Sequence, residues 1–318
     1  MLGLLLAVLF LVKMSSTATP SERVLEQLKL LAGDYIETAQ LKQIIDDFST
    51  DFNEDDEQTF EQYIIKPLKN LSIAFVVVDF QNDFVSGSLS VKEGDAKEDP
   101  DKALAPLNRL LKESDWEMIV YTQDWHPSNH ISFCEHAHDT DRILCPEDRN
   151  KTFEPFEKVC FEKPATQQVL YPTHCVQGSW GAEIHPEVHI SSDSTIVRKG
   201  TDIYVDSYSA FTDNDGISKT VLDDLLKENS INAVVACGLA YDICVKYTIK
   251  DAKKLGYLSA IVSDCSAGFS VSGISEANLE FRQSDVAVLN EQQAADLSLR
   301  RFVPIEWIRS LASAHAPN

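Results

Sequence analysis

Cys244 is the residue in this sequence best placed to act as a nucleophile. It lies in Ile231 to Thr248, INAVVACGLAYDICVKYT. Ala233 to Gly238 reads as a buried strand ending in a tight turn, and a helical pattern begins with Asp242, Ile243, Cys244 and Val245. A cysteine in the first turn of a helix meets unpaired backbone N–H groups and the positive end of the helix dipole, which favour a thiolate over a thiol. Read alone, a single cysteine such as Cys244 is better taken as a small core residue, and the other stretches shift that balance. Asp79 ends the apolar run Ile73 to Val78, as a proton carrier or as a turn-capping carboxylate. Asp124 and His126, two apart in an extended segment, can reach one metal ion from the same side. His174, in the loop Tyr171 to Glu183, is a candidate third ligand, although any one of these histidines taken singly also fits a structural role. Lys199 follows Thr195-Ile-Val197.

The elements that must bring these residues together are strands alternating with helices from Leu71 onward. Ile73–Val78, Met118–Tyr121, Thr195–Val197, Ala233–Ala236, Leu258–Val262 and Val286–Leu289 read as strands, and Leu104–Leu111 as helix. This is the pattern of a three-layer αβα fold with a mainly parallel sheet of roughly six strands. Asp79, Asp124, Lys199 and Cys244 all follow strand ends, and in an open α/β sheet those ends converge on one crevice.

Five blocks in order, DFQNDF, DWHPSNHISF, YPTHCVQGSWGAE, RKG…DSYSAF and CGLAYDICV, together resemble the nicotinamidases of the isochorismatase-like cysteine hydrolases, over roughly Leu71 to Leu289. The resemblance implies an amidohydrolase that converts nicotinamide, with pyrazinamide as an analogue, to nicotinate and ammonia through a thioester, in NAD salvage. It implies a catalytic triad of Asp79, Lys199 and Cys244, and an oxyanion hole from the backbone N–H groups of Ala240 and Cys244. It also implies a cis peptide at Leu239–Ala240. Asp124, His126 and His174 match the metal ligands, and Asp206 matches an acidic residue near the metal or its waters. Zinc is the expected ion, with iron or manganese compatible with an Asp/His/His site. Phe84 and Tyr171 match aromatic positions that sandwich the ring, with Tyr171 standing where relatives often carry Trp. Two other readings remain: a related hydrolase of carbamoyl amides, and a secreted binding protein without turnover.

The chain has 318 residues and a formal net charge of −22, which argues against nucleic acid or an anionic membrane as partner. Self-association is left open. Residues 1–18 read as a signal peptide: eleven apolar residues, LGLLLAVLFLV, are too few to span a bilayer, and small residues precede a cut near Ala18. The expectation is secretion, or a cytoplasmic protein if that segment is not a working signal. The sequons at Asn70 and Asn150 agree with the secretory route, and Cys145 and Cys160 are candidates for a disulfide in an oxidising compartment. Cys237 and Cys265, at the ends of apolar runs, read as buried thiols. Residues 19–70 read as a separate helical unit before a catalytic domain at 71–318. Within that unit, the segment from Asp51 to Gln62 resembles an EF-hand loop but has Asp56 in place of the turn glycine and Gln62 in place of the bidentate Glu. The expectation is a degenerate hand that pairs helices, with no calcium bound.

Overall fold

The structure, a computed structural model, describes residues 18–317. The expected signal segment lies almost wholly outside the described residues. The chain forms two compact units, one of residues 72–298 and one combining residues 18–71 with 299–317. The sequence reading ran the catalytic domain to residue 318. In the structure the last segment, with its helix Ile305–His315, clusters instead with the N-terminal helices.

The larger unit is built on a six-stranded parallel sheet in the order β6-β2-β1-β7-β8-β9. The strands are β1 Ile73–Val78, β2 Met118–Asp124, β6 Thr195–Lys199, β7 Ala233–Leu239, β8 Leu258–Ala267 and β9 Ala287–Leu289. Every residue of β1 and β7 is buried, as expected of central strands covered on both faces. Their runs IAFVVV and AVVACGL are apolar without alternation for that reason. Fully buried Val76 and Val235 contribute about 1.5–3 kcal/mol each. The edge strands β6 and β9 alternate between buried and exposed residues. From β1 the chain order runs outward to β2 and β6 on one side and to β7, β8 and β9 on the other. The β1/β7 boundary is therefore the switch point, where a crevice opens beyond the carboxyl ends of the strands. The sequence expectation of a six-stranded α/β fold holds.

A second, three-stranded antiparallel sheet lies within residues 134–170: β3 Ile143–Leu144, β4 Lys158–Lys163 and β5 Thr166–Val169. A disulfide joins Cys145 to Cys160, with Cα atoms 5.4 Å apart. Cys237 and Cys265 are buried and unbridged.

The smaller unit consists of the helices Pro20–Ala32, Thr38–Phe48, Glu54–Phe60, Lys66–Lys69 and Ile305–His315. Val24, Leu25 and Leu28 face its interior, as do Leu41, Ile44, Ile45 and Phe48, following the spacing in the sequence. The EF-hand resemblance does not extend to the backbone, because helix begins at Glu54, only two residues after Phe52. The Asn53 side chain accepts the N–H groups of Asp55 and Asp56, and the Asp56 carboxylate accepts the Asn53 N–H. Two residues read as positions of a cation loop are thus a capping box that starts a helix.

Candidate active site and metal centre

Asp79, Lys199, Cys244 and Asp124 meet at the switch point, and strand register explains why. Asp124 and Lys199 are direct partners across β2 and β6. Lys199 Nζ lies 2.5 Å from Asp124 Oδ1, 2.9 Å from Asp79 Oδ2 and 3.5 Å from Cys244 Sγ, and donates to the Ser207 carbonyl at 2.8 Å. All four side chains are buried. Thr122, two residues before Asp124 and so on the same face of β2, donates from Oγ1 to Asp79 Oδ1 at 2.6 Å. Asp79 Oδ2 makes the close ion pair with Lys199 but has no well-aligned hydrogen bond. That oxygen is available to take a proton.

Burial pushes the Cys244 thiol well above its ordinary value; Lys199 opposes this, while Asp79 and Asp124 reinforce it. The helix-start argument for a resting thiolate is therefore corrected. Cys244 sits in the turn Tyr241–Val245 that leads into the helix Lys246–Lys254, and there desolvation of the sulfur and two neighbouring carboxylates favour the thiol. The thiol needs a base at the moment of attack. Burial also raises Asp79, against the pull of Lys199. Lys199 is lowered by burial but raised more by Asp124 and Asp79, so it stays charged.

Asp124, His126 and His174 place their ligand atoms within 4.8 Å of one another, all three buried. His126 Nδ1 contacts the Gly200 carbonyl and His174 Nδ1 the Pro172 carbonyl, each at 2.8 Å. Each bond fixes a ring with Nε2 turned away from the backbone, the arrangement usual for metal-ligating histidines. His126 Nε2 is buried without a hydrogen-bond partner, an orphan that a divalent metal ion would satisfy. The donor set fits such an ion. A Cβ at Gly200 would come 2.4 Å from His126 Cε1, and Gly200 has φ +62°, so only glycine fits beneath that ring. Burial alone would raise Asp124, but the charges of Lys199 and His126 outweigh it and hold the carboxyl below the usual carboxylate range. Burial lowers His174 to about 4, keeping it neutral and able to donate its lone pair.

Phe84, Tyr171, Asp206, Ala240 and Cys244 line one cavity of about 120 Å³ together with Asp124 and His174. Phe84 and Tyr171 stand with ring centroids 5.6 and 5.8 Å from His174. Asp206 accepts from Gln168 Nε2 at 2.8 Å. The Leu239–Ala240 peptide is cis.

Several residues of the site were not singled out in the sequence. His130 stacks on His126 at 4.1 Å and falls with His126 and Asp206 into a second potential ligand group; its place four residues after His126 was a usable signal. Gln81 ties β1 to the metal segment, accepting the Asp124 N–H and donating to the Asp124 carbonyl, each at 2.8 Å. Thr122 carried the period-2 signal of its strand. Phe156, Val169 and Phe269 also line the cavity, and no local pattern marked them.

A model of the isochorismatase domain family matches residues 73–293, and the chain belongs to that family. The nicotinamidase of Escherichia coli is 38% identical over 205 residues, covering 62% of this chain and 84% of that protein. A solved nicotinamidase/pyrazinamidase of Acinetobacter baumanii is 34% identical with a TM-score of 0.60, covering 70% of this chain and 98% of that one. The pyrazinamidase of Pyrococcus horikoshii, solved in complex with zinc, is 29% identical with a TM-score of 0.52, covering 69% of this chain and 99% of that one.

Proposed function

We infer that this protein is a metal-dependent cysteine amidohydrolase that converts nicotinamide to nicotinate and ammonia. The observation that carries the reading is Cys244 on the wall of an aromatic-lined cavity, with Lys199 in contact with both Cys244 and Asp79, and with Asp124 and His174 of an Asp/His/His cluster on the same wall.

Cys244 Sγ attacks the carboxamide carbon while its proton passes to Asp79 Oδ2, so no free thiolate has to accumulate. Lys199 holds the carboxylate in place and balances charge as sulfur develops it. The backbone N–H groups of Ala240 and Cys244 receive the oxyanion. Asp79 then gives its proton to the departing nitrogen, ammonia leaves, and a thioester remains on Cys244. Asp79 next takes a proton from water, the hydroxide attacks the thioester carbon, and nicotinate departs as Cys244 regains its proton. Asp124, His126 and His174 would hold the divalent ion, for which zinc is the best match to one Asp and two His donors. Bound there, it supplies an anchor for the pyridine nitrogen. Phe84 and Tyr171 orient the ring between them, so that the carboxamide faces Cys244.

A substrate panel with metal analysis of the same sample tests this reading. Ammonia release should be efficient with nicotinamide and pyrazinamide and negligible with carbamoyl compounds, with one divalent ion per chain. Preference for a carbamoyl substrate would contradict it.

A further inference from the structure

Phe156 and Phe269 belong to different elements, yet both line the cavity that holds Cys244. Their rings stand 5.1 Å apart at 34°, and Phe156 also meets Tyr171 edge-on at 6.0 Å. Phe156 is 48% exposed and has φ +73°. A bulky residue in the left-handed region, with half its ring in water, gains little from burial and is found where the surroundings enforce it. Its N–H donates to the Leu170 carbonyl at 2.6 Å, which fixes the backbone from the disulfide-bonded insert.

Phe269 is held more firmly still. Four successive N–H groups on its loop each donate to a carboxylate. Gly268 donates to Glu98 at 2.6 Å, Phe269 and Ser270 to the two oxygens of Asp242 at 2.8 and 3.0 Å, and Val271 to Asp95 at 2.8 Å. Hydrogen bonds to an ionised acceptor are the stronger kind. Gly94 lets this loop approach, since a Cβ there would lie 1.9 Å from the Phe269 carbonyl oxygen. Asp242 itself lies between Ala240 and Cys244, both on the cavity wall. One carboxylate thus ties the turn bearing the nucleophile to the loop bearing Phe269.

We propose that Phe156 and Phe269 form an aromatic gate that sets how large an aromatic carboxamide reaches Cys244, and that Asp242 is the positioning residue that holds Phe269 in it. The proposal rests on the amidohydrolase reading above. Phe156 approaches from the insert and Phe269 from the loop after β8, so ring size is judged by two walls set independently. A small monocyclic ring passes, and a fused bicyclic ring meets the pair.

The test compares kcat/KM for nicotinamide and for quinoline-3-carboxamide in the metal-loaded wild type and in Phe156→Ala, Phe269→Ala, Phe269→Leu and Asp242→Asn. An added group that a pocket wall rejects is discriminated by tens of fold. The quinoline-to-nicotinamide ratio should therefore rise on the order of tenfold in both alanine variants. It should rise less in Phe269→Leu. Asp242→Asn removes one of the two acceptors and should raise the ratio in the same direction, whereas a merely structural residue would lower stability without moving it. An unchanged ratio in folded Phe156→Ala, whose ring is half-exposed, together with an unchanged ratio in Phe269→Leu, overturns the gate. An unchanged ratio in Asp242→Asn overturns its positioning role. If the wild type hydrolyses neither compound, the reaction assignment fails and the gate with it; turnover of nicotinamide with flat ratios defeats the gate alone.

Discussion

At the scale of residues, the site stores a proton on sulfur and a place for it on carboxylate. Burial raises both Cys244 and Asp79, and Lys199 between them keeps the assembly charged. The histidines are prepared in another way, each pinned through Nδ1 to a backbone carbonyl. His126→Ala and His174→Ala should lose metal and weaken nicotinamide binding. His136→Ala should do neither, because its ring falls in none of the potential ligand groups among the described residues. Metal analysis after gel filtration reads this directly. Gly200→Ala should lower metal affinity by roughly tenfold or more, by displacing the ring it supports. In the metal-stripped protein, His174 falls from its ordinary 6.5 to about 4 through burial. The unfolded chain takes up this proton below 6.5 while the folded one resists until about 4. The contribution to stability is therefore present above pH 6.5 and is lost progressively as pH falls toward 4. Melting curves of the apo wild type over that range should drop more steeply than those of His174→Ala. That Asp79, Lys199 and Cys244 would gather beside Asp124, His126 and His174 was legible because these residues fall in five ordered blocks. Thr122, Gln81 and His130 were not, since each acts by supporting a neighbour fixed only in three dimensions.

Among elements, the register of β2 against β6 puts Asp124 opposite Lys199, and a slip of one residue would send both to the other face. The unbroken apolar runs of β1 and β7 made the central strands readable from sequence. The small sheet of β3, β4 and β5 was harder. Its strands are two to six residues long, too short for a clear period, and they are joined by the Cys145–Cys160 bond and by a small apolar cluster that includes Leu144, Val159 and Phe161. That bond closes a separation of 15 residues, which in the chain-entropy account is worth about 3 kcal/mol. Cys145→Ser with Cys160→Ser should lower Tm under non-reducing conditions. The same insert carries Phe156 and Val169 to the cavity, so KM for nicotinamide should rise more than kcat falls. Steady-state kinetics on the folded double variant check this. In the acidic segment at residues 51–62 the sequence leaves two roles open, because Asn and Asp serve equally as cation ligands and as helix caps, and only the backbone tells which.

Over the whole molecule, a catalytic unit of residues 72–298 accompanies a helical unit assembled from both ends of the chain. That pairing of termini is invisible to a reading made along the sequence. No helix among the described residues is long and apolar enough to cross a membrane. We propose that the protein follows the secretory route, supported by the short apolar run followed by small residues, the Cys145–Cys160 disulfide and the exposed Asn70 and Asn150. Expression in animal cells should then give a product in the medium whose N-terminus lies near Thr19; an intact Met1 on a wholly intracellular product would refute it. The catalytic account stands apart from that outcome and rests on one thiol. Its most direct test is ammonia release from nicotinamide by wild type and Cys244→Ala, matched for metal content. The account predicts a variant with full metal and a rate lower by at least about a thousandfold. A fully metallated Cys244→Ala that keeps more than a few per cent, roughly, of wild-type turnover would contradict it.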